Sequence, residues 1–135
     1  MTRKTLHVAA AALVNADGHV LLAKRPEGRS LAGLWEFPGG KTKEGETYEH
    51  ALIRELREEL GISVMPASLS PLTFASHAYE DFTLFMPLFL CSAWEGTPVP
   101  REKQELAWVT PAALGDYPMP PADVPLIPLL RKLLQ

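Results

Sequence analysis

The stretch from Gly39 to Ile62 constrains this chain more than any other. Gly39-Gly40 opens it, Thr47 offers an N-cap and Gly61 fills the C′ position, so the residues between read as a helix over 47–60. At 100° per residue, Leu52, Leu56 and Leu60 form one apolar stripe for a core. Glu55, Glu58 and Glu59 fall at i, i+3 and i+4 and share a neighbouring face. Six of the twelve glutamates lie between Glu44 and Glu59. Like charges at this spacing repel by roughly 0.2–0.5 kcal/mol per pair on an exposed helix, and Arg54 and Arg57 flank the cluster. A solvated face laced with Arg–Glu pairs is one reading. A hard-cation site is the other, because Mg²⁺ is bound through a few carboxylates together with substrate phosphates. Carboxylates one helical turn apart can hold two ions across a polyphosphate. Gly39-Gly40 permits a tight turn and frees a carbonyl to face a metal. Gly40-Lys41-Thr42 imitates the tail of a P-loop, but Trp35 stands where that motif needs glycine.

Around this segment the chain alternates short apolar runs with turn signals. Strands are expected near 5–14 and 19–25, joined as a β-hairpin through Asn15-Ala16-Asp17-Gly18. A short extended piece spans 34–37, and further strands are expected near 69–78, 82–93 and 105–110. Eight of the thirteen prolines lie from Pro98 onward, and Pro118, Pro120 and Pro121 stiffen a loop before a last helix over 124–134. Strands interleaved with two helices give a mixed α+β domain, with helices packed on a central sheet. No linker or repeat divides the 135 residues, so 1–135 reads as one domain.

The single cysteine, Cys91, excludes an intrachain disulfide framework. No apolar run reaches the roughly 20 residues that span a bilayer. A net charge of −3 gives no basic face for a nucleic-acid polymer. Arg3-Lys4 ahead of Leu6–Val14 loosely imitates a secretory signal, but His7 interrupts the run and it leads into a hairpin turn. A cytoplasmic monomer is expected. Trp35, Trp94 and Trp108 are read as packing residues and Cys91 as inert core.

Gly40, Glu46, Arg54-Glu55-Leu56, Glu58-Glu59 and Gly61-Ile62 match every fixed position of the Nudix box, and the chain resembles the Nudix hydrolases. The likeness is greatest to MutT-type nucleoside triphosphate pyrophosphatases. Leu34-Trp35-Glu36-Phe37-Pro38-Gly39-Gly40-Lys41 is similar to their run into the box, Arg101-Glu102-Lys103-Gln104 to their metal loop, and Pro120-Pro121-Ala122-Asp123 to their base-recognition loop. The resemblance implies an α-β-α sandwich on a mixed sheet. It implies a divalent metal, Mg²⁺ with Mn²⁺ as the alternative, held by the Gly40 carbonyl, Glu55, Glu58, Glu59 and Glu102. Glu55, with Glu102 as second candidate, would also activate water. Arg54 would orient the glutamates, Glu46 would brace them, and Lys41 would meet phosphate. Arg25, Glu36, Phe37, His77 and Asp123 would contact substrate.

By the same resemblance, water attacks the β-phosphorus of a nucleoside triphosphate and releases monophosphate and pyrophosphate. The leading expectation is an 8-oxo-dGTP diphosphatase that cleans the nucleotide pool, a mutation-avoiding role in DNA replication and repair. Enzymes of that kind place asparagine where this chain has Asp123. Asparagine both donates and accepts, so it serves O6 and N7–H of 8-oxo-guanine together, whereas an ionised Asp only accepts. Asp accepts equally from the N4 amine of cytosine, so CTP or dCTP is the alternative substrate. A non-catalytic nucleotide sensor is the alternative of another class.

Overall fold

The computed structural model describes residues 3–134. Its centre is β1 (Lys4–Leu13), which is buried on both faces over its second half. The alternation of strand side chains sends Ala10 and Ala12 to one core and Ala9, Ala11 and Leu13 to another. A run buried on both faces reads as continuously apolar, which explains the Ala-rich segment.

Strand β1 pairs with two neighbours. It runs antiparallel to β4 (Gly39–Lys41) and parallel to β6 (Phe82–Cys91), and β5 (Ser70–Ala78) pairs antiparallel to β6. These four form a mixed sheet in the order β4-β1-β6-β5. A second, antiparallel sheet has the order β3-β2-β7, built from β2 (Val20–Lys24), β3 (Trp35–Glu36) and β7 (Glu105–Val109).

The expected β1–β2 hairpin shrinks to a single bridge, Val14 to Val20. Its turn forms as read: Asn15 Oδ1 accepts the Asp17 and His19 amides at 3.1 and 2.9 Å. The strands then part because both edges of β1 are taken by β4 and β6. Sequence adjacency predicted the wrong neighbour.

Helix α1 (Tyr48–Leu60) is capped as expected. Thr47 accepts from the His50 amide at 3.1 Å, and Gly61 adopts a left-handed φ of 72°. Its stripe of Leu52, Leu56 and Leu60 packs with Ala9, Ala11, Leu13 and Leu21. On the other side, Leu126, Ile127 and Leu130 pack with Ala10, Ala12 and Leu22. The expected final helix begins as a 3-10 turn at Val124–Leu126 and becomes α2 (Ile127–Leu134). Helices therefore cover both faces of the sheets, as in an α-β-α sandwich. Among the described residues no helix is long and apolar enough to cross a membrane.

Close approach of β4 to β1 requires glycine. A Cβ at Gly39 would run into the Ala9 carbonyl and the Ala10 backbone. Neither can yield without breaking the ladder. Gly39→Ala is expected to cost about 1–3 kcal/mol by overpacking, read as a lower urea midpoint with unchanged m-value.

Candidate active site

A cleft of about 740 Å³ is bordered by the ends of β1, β2 and β3, by β4, by one face of α1 and by β6. Gly40, Lys41, Glu55, Glu58, Glu59 and Glu102 line one part of it. Arg25, Glu36, Phe37, Tyr79, Met86 and Asp123 line another. The structure thus gathers residues that span about a hundred positions of sequence. Of the residues named from sequence, Glu46, Arg54 and His77 do not line the cleft.

Arg54 lies behind the acidic wall and organises it. Its Nε and Nη2 grip the two oxygens of Glu46 at 2.7 and 2.9 Å. Nη1 reaches Glu55 at 2.8 Å and Glu58 at 3.4 Å, and Nη2 donates to the Lys41 carbonyl at 3.1 Å. A planar guanidinium with several donors suits this arrangement, and a lysine does not. Arg54 and then the Lys43 amide hold the Glu46 carboxyl down at about 2. Arg57 makes no ion pair among the described residues; its carbonyl serves the C-cap instead.

Glu102 arrives from a loop strapped to the end of α1. The last carbonyls of a helix lack intrahelical partners, and this loop supplies them. Val99 and Arg101 donate their amides to the Leu60 and Glu59 carbonyls, each at 3.0 Å. Gln104 Nε2 also donates to the Glu59 carbonyl at 3.0 Å, while Gln104 Oε1 accepts the Glu102 amide at 2.8 Å. Lys103 takes a left-handed φ of 62° to close this turn. Gln104 is thus a positioning residue for which the sequence offered no role beyond its spacing from Glu102.

Burial raises the Glu59 carboxyl well above its usual range, and the charges of Glu55, Glu102 and Glu36 raise it further. A wall of crowded oxygen donors, with Arg54 on Glu55 and Glu58 and no ion pair to Glu59 among the described residues, fits a hard divalent cation. Gly40 completes the fit: a Cβ there would meet the Glu55 carboxylate and displace it, so glycine lets backbone and acid stand together. No three acidic, imidazole or thiol side chains among the described residues already form a metal cluster. Glu55 meets Arg54 through Oε1 while its Oε2 lies beside Gly40, and the Glu58 side chain is 51 % exposed.

The other part of the cleft is apolar with one buried acid. Phe37 and Met86 are buried, and Asp123 is 4 % exposed. Burial and then the nearby Glu36 push the Asp123 carboxyl up to about 7, against a bond from the Phe37 amide and the charge of Arg25. Glu36 is raised by burial and restrained by Arg25, whose Nε donates to it at 3.0 Å. Arg25 Nη1 also donates to the Ser30 carbonyl at 3.4 Å. Tyr79 ties the Asp123 loop down, its hydroxyl accepting the Ala122 amide at 3.3 Å. Tyr79 stacks on Phe82 with centroids 5.1 Å apart, and His77 packs against its ring at 4.5 Å. His77 does not line the cleft but packs against Tyr79, which does, and stands opposite Leu84 of β6, another lining residue.

The tryptophans pack as expected. Trp35 is buried edge-on against Tyr117, and Trp94 stacks with Trp108.

The NUDIX domain family matches residues 9–129. This chain belongs to the NUDIX domain family. It is 42% identical over 122 residues to the CTP pyrophosphohydrolase of Escherichia coli K12, covering 87% of this chain and 85% of that one. It is 40% identical over 134 residues to the 8-oxo-dGTP diphosphatase of Haemophilus influenzae, covering 94% and 92%. A solved structure of MutT, from a study of Aliivibrio salmonicida and Vibrio cholerae, superposes with a TM-score of 0.79 at 35% identity, covering 96% of this chain and 98% of that one. The mixed-sheet NUDIX fold and the box read from Gly40 to Ile62 are thus those of a MutT-like hydrolase.

Proposed function

We propose that this NUDIX protein hydrolyses nucleoside triphosphates to monophosphate and pyrophosphate, with water attacking the β-phosphorus. The observation that supports this most is one cleft holding both an acidic wall and an apolar pocket with a single buried acid. The first suits a metal-bound polyphosphate and the second suits a base. Glu55, Glu58, Glu59, Glu102 and the Gly40 carbonyl would hold the ion, Mg²⁺ in the first instance with Mn²⁺ as a substitute. A bound divalent cation neutralises phosphate charge and lowers the pKa of water. Lys41 adds positive charge for phosphate at the edge of the same wall. Glu55 accepts the proton of the attacking water, with Glu102 the second candidate, and Arg54 orients Glu55. Phosphoryl transfer leaves little covalent work for the protein, so positioning and charge dominate.

The preferred substrate is 8-oxo-dGTP, in keeping with the name of the Haemophilus influenzae relative. A carboxyl pushed up to about 7 is protonated in a large fraction of molecules near neutrality. A neutral carboxyl donates and accepts as an amide does, so Asp123 can serve O6 and N7–H together. Cytosine nucleotides are the second reading, because the ionised form of Asp123 accepts from N4–H and the Escherichia coli relative is named for CTP. The role proposed is nucleotide-pool sanitation guarding DNA replication and repair. The protein acts as a single domain over 1–135, a cytoplasmic monomer that binds small nucleotides and no nucleic-acid polymer.

Comparing kcat/KM with Mg²⁺ for 8-oxo-dGTP, dGTP, CTP, dCTP and ADP-ribose tests the reading. The expected result is at least a tenfold preference for 8-oxo-dGTP over dGTP, abolished by EDTA. A preference for cytosine nucleotides would establish the second reading, and turnover of no triphosphate would leave a sensor.

A further inference from the structure

Arg3 belongs, in the sequence, only to a run that imitates a secretory signal, and the site described above makes no use of it. The structure gives its side chain definite partners. β1 runs parallel to β6 with Lys4 opposite Phe82, so the residue before Lys4 comes up beside the turn that joins β5 to β6. Nη1 donates to the Glu80 carbonyl at 3.2 Å, and Nη2 donates to the Phe82 carbonyl at 2.9 Å and to the Tyr79 carbonyl. Nε donates to Thr83 Oγ1 at 3.3 Å. One guanidinium thus gathers three carbonyls and a hydroxyl from residues 79–83, as its fixed fork of donors permits. β5 is the edge strand of its sheet, so a strand neighbour steadies the turn from one side only.

That turn carries part of the wall of the apolar pocket. Tyr79 and Phe82 both line the cleft and stack on one another, and the Tyr79 amide closes the turn on the Phe82 carbonyl at 2.8 Å. The Tyr79 hydroxyl accepts the Ala122 amide, one residue before Asp123. Arg3 holds the carbonyls of the same two aromatic residues. We propose that Arg3 is a positioning residue for nucleotide binding: from the start of β1 it clamps the β5–β6 turn, so that Tyr79 and Phe82 stand against the pocket and the 120–123 loop stays docked on Tyr79. This role rests on the nucleotide reading above. The hydrogen bonds of Arg3 reach none of Glu55, Glu58, Glu59 or Glu102, so its loss acts on the pocket and spares the acidic wall. Lysine cannot replace it, because a point-charge ammonium lacks the fork that spans several carbonyls.

Steady-state kinetics and native-state hydrogen exchange on Arg3→Gln and Arg3→Lys test this. In Arg3→Gln, KM for the triphosphate turned over best should rise about tenfold while kcat stays within about twofold, the pattern of lost substrate binding with the chemical step intact. In the metal-free protein the Ala122 amide should exchange about tenfold faster, while the Ala51 amide, bonded to the Thr47 carbonyl in α1, keeps its rate. Arg3→Lys should recover little of either. An unchanged KM overturns the proposal, as does an Ala122 amide indifferent to Arg3→Gln. Equal loss of protection at Ala122 and Ala51 also overturns it, because Arg3 would then stabilise the whole fold rather than the turn. So does complete recovery in Arg3→Lys. If no nucleotide is turned over while the Ala122 amide behaves as stated, the nucleotide reading fails and the clamp on the turn stands.

Discussion

Glu59→Gln is expected to abolish turnover and stabilise the metal-free protein. With Mg²⁺ present, kcat should fall by about three orders of magnitude, which corresponds to about 4 kcal/mol of transition-state stabilisation. KM should change far less, because the apolar pocket around Phe37 and Asp123 is untouched. Stability should move the other way. Burial and the charges of Glu55, Glu102 and Glu36 raise the Glu59 carboxyl. A raised carboxyl makes the metal-free folded state lose stability as pH climbs from the unfolded pKa through the folded one. Glutamine removes that penalty, so in EDTA at pH 8 the variant should melt higher, by about 2–8 °C per kcal/mol relieved. Added Mg²⁺ should raise the wild-type Tm strongly and the variant's weakly. A variant that keeps a tenth of its activity, or melts lower in EDTA, would contradict the metal-wall account.

Arg54→Met should damage both properties at once. Its guanidinium joins Glu46, Glu55, Glu58 and the Lys41 carbonyl. Removing it leaves Glu46 and Glu55 without their cation in a half-buried setting. The expected result is a lower urea midpoint, since breaking these pairs strands the remaining carboxylates. Turnover should drop roughly 10–100-fold, as for residues that orient metal ligands. Arg54→Lys should recover little of either, because an ammonium cannot bond both Glu46 oxygens and Glu55 together. Urea unfolding and steady-state kinetics on both variants decide this. Full rescue by lysine would mean that charge alone matters.

The sequence showed most of this site because its parts are local. Glu55, Glu58 and Glu59 share a face by helical periodicity, and Thr47 and Gly61 mark the ends of that helix by their chemistry. Longer-range arrangements were less legible. The β1–β2 turn was recognisable, but strand partners depend on which edges tertiary packing leaves free, and β4 had taken one of them. A three-residue strand as short as Gly39–Lys41 carries no period of its own. His77 was expected at the substrate, and it stands beside the pocket, packed on Tyr79 and opposite Leu84. Gln104 works on the Glu59 carbonyl, a contact across 45 positions that no spacing announces. Arg25 was expected beside substrate and lines the cleft, but its bond to Glu36, 11 positions away, carried no sequence signal.

Water is expected to open the bond between the first two phosphates by attack at the β-phosphorus. Hydrolysis of 8-oxo-dGTP with Mg²⁺ in ¹⁸O-water, followed by mass analysis of both products, decides where it attacks. The expected products are unlabelled nucleoside monophosphate and pyrophosphate carrying one ¹⁸O. Label in the monophosphate, or release of orthophosphate and a nucleoside diphosphate, would contradict it.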